Sequence, residues 1–337
     1  MTWFRRLRLG GNSGVLIVFI VLVLAGFGLI RPAYLTGSNL SNILVQATPV
    51  AIAAIGMTYV ILLADIDLSI GSTMYLSVVV ATMLTSSSSA LMITPSVWVY
   101  PVAIVTGLIL GSVNAALISV LRINALIVSL GALYAYQGIG LALTGAGTQL
   151  TSGPITWLGT AKAGGTYVVV LLTIAASILA AAFLKFRSNG RLLYAIGSDP
   201  RSAKESGLSR PRARFVAFGL AGVCAAVAGL INVGQDGTLD ATLGSDFAFT
   251  VITAVVVGGT SLFGGRGTVL GSMLGALLLA AIENGLNVIN ASIYVYDVVQ
   301  GVVLVAAILF GAASQKAGFR AAAGKLFWTR QTLEKGA

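Results

Sequence analysis

Ten apolar runs, each close to the length that crosses a lipid bilayer, dominate this sequence. About 20 consecutive apolar residues in a helix span the hydrocarbon core. Only 9% of the residues are charged, too few to solvate a globular surface, while 57% are hydrophobic. The runs lie near residues 15–30, 43–64, 68–84, 97–119, 123–143, 167–184, 213–233, 247–263, 268–288 and 293–312. The sequence therefore predicts an all-α, polytopic transmembrane helical bundle of about ten spans, with residues 1–337 forming a single domain.

The basic residues predict how this bundle is oriented. Cytoplasmic loops of membrane proteins carry an excess of Lys and Arg. If the chain starts inside and crosses ten times, 18 of its 20 basic residues fall on the cytoplasmic side, eight of them in residues 185–214. We therefore predict that both termini are cytoplasmic, with an arm over 1–14, a loop over 185–212 and a tail over 313–337.

The residue composition excludes several kinds of site. The chain has no His and one Cys, so zinc sites, disulfides and His-based catalysis are not expected, and no metal site is predicted. The net charge of +10 lies between apolar runs, without the interleaved aromatic residues of a nucleic-acid surface. The lipid bilayer is therefore the expected partner of this surface, and nucleic acid is not.

The basic loop contains the pattern of a short capped helix. Asp199 is expected to be its N-cap, Pro200 its first helical residue, and Gly207 the residue that ends it. A capped helix on a cytoplasmic loop suggests a docking site for a soluble partner. A solvated, positively charged loop without a partner explains the composition equally well.

Two segments interrupt the helical pattern. In residues 65–72, Asp67 is placed to cap the next helix, and Ser69 and Gly71 follow it. The second segment is glycine-rich, and irregular backbone at membrane depth is tolerated only when it is buried or lines a cavity. Its expected turn residues are Gly258, Gly259, Gly264, Gly265, Gly267 and Gly271. Residues 69–72 match residues 269–272, which suggests a parallel internal repeat, although a chance likeness of glycine-rich turns stays open.

Glycines at helical spacing predict close contact between spans. Gly267, Gly271 and Gly275 are four residues apart, as are Gly107 and Gly111. This spacing places small residues on one face of a helix, where another backbone can approach closely.

Four segments carry a resemblance to a known family. Residues 56–71 resemble the pattern G-M-T-x-V-I…G-I-D-L-S-V-G, and residues 124–131 (NALIVSLG) are similar to N-P-F-I-V-T-L-G. Residues 195–207 resemble A-I-G-x-N…A-A-x-x-S-G-I, and residues 257–286 contain G-G-x-S-x-x-G-G-x-G-T-x-x-G followed by Glu-Asn-Gly-Leu. In this order the motifs resemble the membrane-spanning permeases of bacterial ABC importers of the ribose, xylose, galactose and autoinducer-2 type. The chain departs from the pattern at Asp65, where the family has glycine, and at Asn124-Ala125, which lacks Pro-Phe.

The resemblance implies a transport subunit of the bacterial inner membrane rather than an enzyme. It implies three partners: a cytoplasmic ABC ATPase, an extracytoplasmic sugar-binding protein and a second permease subunit, identical or different. No cofactor is expected on this subunit, because ATP and Mg²⁺ would bind the ATPase, and the sequence lacks the GxxxxGK[ST] phosphate loop. The alternatives are a permease for branched-chain amino acids or nucleosides, or a secondary active transporter.

The resemblance also directs attention to particular polar residues. The helix that seats on the ATPase would comprise Asp199, Pro200, Ala203, Lys204, Glu205, Ser206 and Gly207. A neutral sugar needs hydroxyl and amide partners, and the candidates for its path are Gln46, Thr58, Asn114, Ser129, Tyr134 and Gln137. For each of these six, hydrogen bonding between helices is the competing explanation.

Overall fold

The computed structural model describes residues 13–89, 92–292 and 294–309, which form a bundle of helices. The first helices are α1 (Ser13–Ile30), a 3-10 helix (Pro32–Leu35), α2 (Gly37–Leu62), α3 (Ile70–Thr85), α4 (Val99–Val120), α5 (Ala125–Thr144) and α6 (Pro154–Thr160). The others are α7 (Val168–Phe186), α8 (Ser188–Ser198), α9 (Pro200–Glu205), α10 (Arg210–Asp236), α11 (Phe247–Val257), α12 (Val269–Val288) and α13 (Tyr294–Leu309). The strands are β1 (Ser86–Ser89), β2 (Met92–Pro95), β3 (Gln149–Thr151), β4 (Lys162–Ala163), β5 (Thr166–Tyr167) and β6 (Thr238–Leu239).

The helices confirm the predicted fold class of an all-α, polytopic membrane bundle. Within the described residues, seven helices are long and apolar enough to cross a membrane: α1, α2, α4, α5, α7, α10 and α12. The other three predicted spans coincide with the shorter helices α3, α11 and α13. The count of ten spans and the cytoplasmic position of both termini stay predictions.

Helices α2 and α10 form the centre of the bundle, and glycines allow their neighbours to approach. A Cβ atom on Gly107 or Gly111 of α4 would overlap backbone carbonyl groups of Gly222 and Phe218 in α10. Gly275 makes an equally close approach from α12 to α11. The predicted close contact is therefore confirmed for Gly107, Gly111 and Gly275, because only helices without side chains at these points can pack at such short range. Gly267 precedes α12 and lies in the turn before it, not on a helix face.

A small sheet, which the sequence did not predict, closes one end of the bundle. Its strand order is β1-β2-β3-β6; β2 and β3 are parallel, and the other two pairs are antiparallel. The strands come from the loops that follow α3, α5 and α10. Helix α10 has 27 residues and is therefore about 40 Å long. It connects this sheet end to the opposite end, where α9 lies; we call the latter the α9 end.

Helix α11 crosses only part of the bundle. It has 11 residues and is about 16 Å long, roughly half of the ~30 Å hydrocarbon core. The predicted apolar span over 247–263 is therefore wrong as a continuous helix. The helix ends at Val257 because the next residues are Gly258 and Gly259, and Gly259 has φ +87°. The stop agrees with the irregular backbone expected from Gly258 onwards, and only the count of apolar residues extended the span to 263.

Candidate functional site

Helix α9 begins with the predicted cap. The Asp199 carboxylate accepts hydrogen bonds from the backbone nitrogens of Arg201 (3.0 Å) and Ser202 (3.1 Å) and from the Ser202 hydroxyl (2.6 Å). Pro200 occupies the first turn. The hydrogen bonds from Ser202 hold the pKa of the Asp199 carboxyl below its usual value. The capped conformation therefore favours an ionised Asp199, which also interacts well with the helix dipole.

Helix α9 also ends as predicted. The backbone nitrogen of Gly207 donates to the carbonyl of Lys204 (3.0 Å), and that of Leu208 donates to the carbonyl of Ala203 (2.9 Å). Gly207 has φ +75°, so the two bonds form the paired C-terminal motif that glycine favours. Ala203 is the buried member of α9 and anchors it, whereas Lys204, Glu205, Ser206 and Gly207 are exposed. Two capped ends on an exposed six-residue helix make a rigid projection.

Helix α9 is connected to the end of α2 through the packing of α8. Helix α8, which leads into α9, approaches so closely that a Cβ atom on Gly197 would overlap the carbonyl oxygen of Leu62. The same carbonyl accepts a hydrogen bond from the backbone nitrogen of Gly265 (2.9 Å). Tyr194 of α8 donates its hydroxyl proton to the carbonyl of Gly267 (2.7 Å). A displacement of α9 would therefore act on α2 and on the glycine-rich segment together.

The glycine-rich segment 258–268 is a tight turn between α11 and α12. A Cβ atom on Gly258 would meet the backbone of Gly271, and one on Gly264 would meet backbone atoms of Leu62 and Gly197. Gly267 lies against Thr260 in the same turn. Side chains at these positions would separate α11 from α12, or both from α8. The segment is therefore a packed turn at the α9 end.

A buried acid near the end of α2 holds two arginines of α10. Asp65 is 6% exposed. Its carboxylate accepts from Nε (2.7 Å) and Nη2 (3.0 Å) of Arg214, a two-point contact. Nη2 of Arg210 lies 3.5 Å from the same carboxylate. The sequence singled out Asp65 only as a departure from the family's glycine and gave no signal of this partner, 149 positions away.

The interruption between α2 and α3 is held by a chain of buried polar groups. Asp67 accepts from the backbone nitrogen (2.9 Å) and hydroxyl (2.6 Å) of Ser69. The Ser69 hydroxyl accepts from the Asn114 amide (2.8 Å), whose oxygen accepts from the Tyr136 hydroxyl (2.9 Å). Asp67 was expected to cap α3, but the helix begins at Ile70, with Ser69 as its N-cap residue. The carboxylate instead closes the turn before the helix.

A further interruption, the loop over residues 238–246 between α10 and α11, contacts the interruption between α2 and α3. We call it the second interruption. Gly244 has φ +85°, and its backbone contacts Gly71 at the start of α3 so closely that neither residue has room for a Cβ atom. The loop is tied to α5, because the Gln137 amide donates to the carbonyl of Ala241 (2.9 Å). Hydrogen bonds from Thr148 and Thr242 lower the pKa of Asp240 in this loop to about 2. The sequence did not indicate this interruption, whereas the irregular segment that it predicted over 258–268 is present as the turn described above.

Three of the six candidate path residues are buried by contacts within the chain. Thr58 shares a hydrogen bond of 2.7 Å with Ser272 of α12. Asn114 belongs to the Asp67 network, and the Ser129 hydroxyl lies 3.3 Å from the carbonyl of Ile66. All three side chains are fully buried. The competing explanation, hydrogen bonding between segments, therefore accounts for these three.

The other three candidates are accessible to different degrees. Tyr134 of α5 is 71% exposed, and Gln137, one turn further along α5, is half-buried beside the second interruption. Gln46 is exposed and accepts a hydrogen bond from Asn284 (3.2 Å) at the other side of the bundle. The structure therefore brings Tyr134 and Gln137 together on α5 and separates Gln46 from them.

Comparison with known proteins gives a consistent result over most of the chain. Residues 39–308 match the protein-family model described as branched-chain amino acid transport system / permease component. The chain is 31% identical to the ribose import permease protein of Haemophilus influenzae, over 87% of this chain and 90% of that protein. It is 30% identical to the D-allose transport system permease protein of Escherichia coli, over 86% and 88%. It is 31% identical to the autoinducer 2 import system permease protein of Klebsiella pneumoniae, over 90% and 92%. No solved structure matches the chain.

Proposed function

Because the chain belongs to the family of branched-chain amino acid transport system permease components, we propose that it is the membrane-spanning subunit of an ATP-driven importer and carries a monosaccharide. Its relatives include import permeases named for ribose, D-allose and autoinducer 2. These names favour a monosaccharide over a branched-chain amino acid or a nucleoside. The subunit is a transport component of the bacterial inner membrane, and ATP hydrolysis is assigned to a separate subunit.

The ATP-driven mechanism is supported chiefly by the exposure of α9 and by the packing that connects it to α2. This helix is exposed and capped at both ends, which suits it to the groove of a cytoplasmic ATPase. Its base is packed on the carbonyl of Leu62 through Gly197. When the ATPases close on ATP, movement of α9 acts on α2 and on the turn 258–268. Relative movement of the helices then opens the path alternately to the two sides of the membrane.

We infer that the path for the sugar lies beside α5. Tyr134 and Gln137 offer a hydroxyl and an amide, which suit a neutral, hydroxyl-rich ligand, and Gln137 is bonded to the loop 238–246 that meets the first interruption. Asn114 and Ser129 support the path by holding the first interrupted segment, and Thr58 supports it by joining α2 to α12. A second permease subunit, identical or different, completes the path on the exposed side of α5.

The sheet end is assigned to the extracytoplasmic binding protein. It lies about 40 Å from the α9 end along α10, and the sugar must enter on the side opposite the ATPase. The strands β1, β2, β3 and β6 join three loops there into one surface.

Reconstitution in lipid vesicles tests the proposed function. We expect the chain, purified with its partner ATPase and binding protein, to take up labelled ribose or allose only when ATP is supplied on the ATPase side. Labelled leucine and adenosine serve as the matched controls and are expected to stay outside. Uptake driven by a proton gradient in vesicles that lack the ATPase would instead establish a secondary transporter.

A further inference from the structure

The cluster of Asp65, Arg210 and Arg214 joins parts of the chain that the sequence keeps apart. Asp65 follows the end of α2 and is the first residue of the interruption that leads to α3. Arg210 and Arg214 are one turn apart at the start of α10, directly after α9 and the short connection 206–209. The cluster thus links the helix that projects from the bundle to the first interrupted segment by side chains alone.

The position of Asp65 is fixed by the way α2 ends. The backbone nitrogens of Ala64 and Asp65 donate to the carbonyls of Ile61 (2.9 Å) and Val60 (3.4 Å), the paired bonds of a helix C-terminal motif. Ala64 adopts φ +57°, which glycine would adopt with less strain. The tight turn directs the Asp65 carboxylate towards α10. The chain keeps this turn although a residue with a Cβ atom occupies its left-handed position.

Local helix energetics do not account for the two arginines. Positive side chains in the first turn of a helix oppose its dipole, and like charges four residues apart repel each other. In α10 the dipole acts against Arg210, the first residue of the helix, and the repulsion acts between Arg210 and Arg214. Among the described residues, the acid that offsets them is Asp65, which belongs to another element. The arrangement therefore serves contact between elements rather than the stability of α10 itself.

The two arginines contribute unequally. Arg214 has a side chain that is 16% exposed and makes two short bonds to Asp65. The Arg210 side chain is 38% exposed and lies 3.4 Å from the carbonyl of Leu63 and 3.5 Å from Asp65; its Nε has no partner within the described chain. Arg214 therefore makes the stronger contact with Asp65. Arg210 makes longer contacts with Asp65 and with the backbone of Leu63.

We propose that Asp65, Arg214 and Arg210 form a clasp that transmits movement of α9 to the interruption between α2 and α3. The three are positioning residues and do not touch the sugar. Leu62 is held by Gly265 and packed by Gly197, and Leu63 is held by Arg210, so the end of α2 is gripped between α8 and α10. Asp65 lies two residues before Asp67, which anchors the network of Ser69 and Asn114. The clasp deepens the proposed function and rests on it.

The test measures how many sugar molecules are taken up per ATP hydrolysed in the reconstituted assembly. The probe is labelled ribose or allose, whichever the wild-type assembly transports. We expect Asp65→Asn and Arg214→Gln to lower this ratio roughly fivefold or more, the low end of typical coupling between sites, while the ATPase still co-purifies. Arg210→Gln is expected to have a smaller effect. The exposed Arg212, on the same turn, provides the matched control, and Arg212→Gln is expected to leave the ratio unchanged.

Two further variants separate transmission from stability. The double variant Asp65→Arg with Arg214→Asp exchanges the two charges. It is expected to restore part of the sugar uptake per ATP that the single variants lose. Arg214→Lys keeps the charge but loses the two-point contact, so its ratio is expected to fall while the protein still inserts. If the Asp65→Asn variant fails to insert into the membrane, the ratio of the Arg214→Lys variant provides the test instead. A wild-type ratio in the inserted variants, even with a lower unfolding temperature, overturns the clasp. If the wild type shows no ATP-dependent uptake, the proposed function fails and the clasp falls with it.

Discussion

Gly197→Ala is expected to abolish ATP-coupled uptake. The added Cβ atom would overlap the carbonyl oxygen of Leu62 and lie 2.7 Å from the backbone nitrogen of Gly265. Both neighbours are backbone atoms, which cannot rotate away, so α8 must move off the end of α2. Overpacking of this kind typically costs about 1–3 kcal/mol, occasionally more. We expect sugar uptake to fall more than tenfold and binding of the ATPase to weaken, because α9 loses its base.

Gly26→Ala provides the matched control for this substitution. Gly26 lies within α1, and a Cβ atom there would meet no atom within 4 Å. Alanine is favoured over glycine inside a helix by about 1 kcal/mol, so uptake is expected to equal that of the wild type. Uptake in Gly197→Ala at the level of Gly26→Ala would show that the contact between α8 and α2 has no part in transport.

Gly71→Ala is expected to remove uptake while leaving the ATPase bound. The added methyl group would overlap the carbonyl oxygen of Gly244, at the point where the two interrupted segments meet. The clashing atom is a backbone oxygen, which cannot rotate away as the end of a side chain could. The clash separates α3 from the loop before α11 and leaves α9 untouched. The measurements are uptake in vesicles and the amount of ATPase that co-purifies, with Gly26→Ala again as control. Normal uptake would contradict a role for this meeting point.

Local patterns in the sequence were sufficient to predict α9. The cap at Asp199, the proline at the first turn and the glycine at the end each depend on residues within a few positions of one another. The glycines at 107, 111 and 275 were equally informative, because helix contacts in membranes favour small residues at regular spacing. Apolar length located the spans but could not distinguish a full crossing from the short helix α11.

Contacts between distant residues were beyond this kind of prediction. Nothing near Asp65 in the sequence indicates Arg214, and nothing near Gly71 indicates Gly244. Of the six polar residues considered for the path, Thr58, Asn114 and Ser129 proved to be buried. The sequence could not distinguish them from Tyr134, because a polar side chain in an apolar run has the same appearance whether it faces a neighbouring helix or an open surface.

Site-specific photo-crosslinking tests most directly the central claim that α9 contacts the ATPase. Lys204 on α9 and Lys162 on the β4–β5 hairpin are both exposed lysines, and they lie at opposite ends of the bundle. Each is replaced in turn by benzoylphenylalanine in the assembled complex, which is then irradiated. We expect an adduct with the ATPase from position 204 and none from position 162. An intact complex that gives no adduct at 204, or one at 162, would contradict the claim.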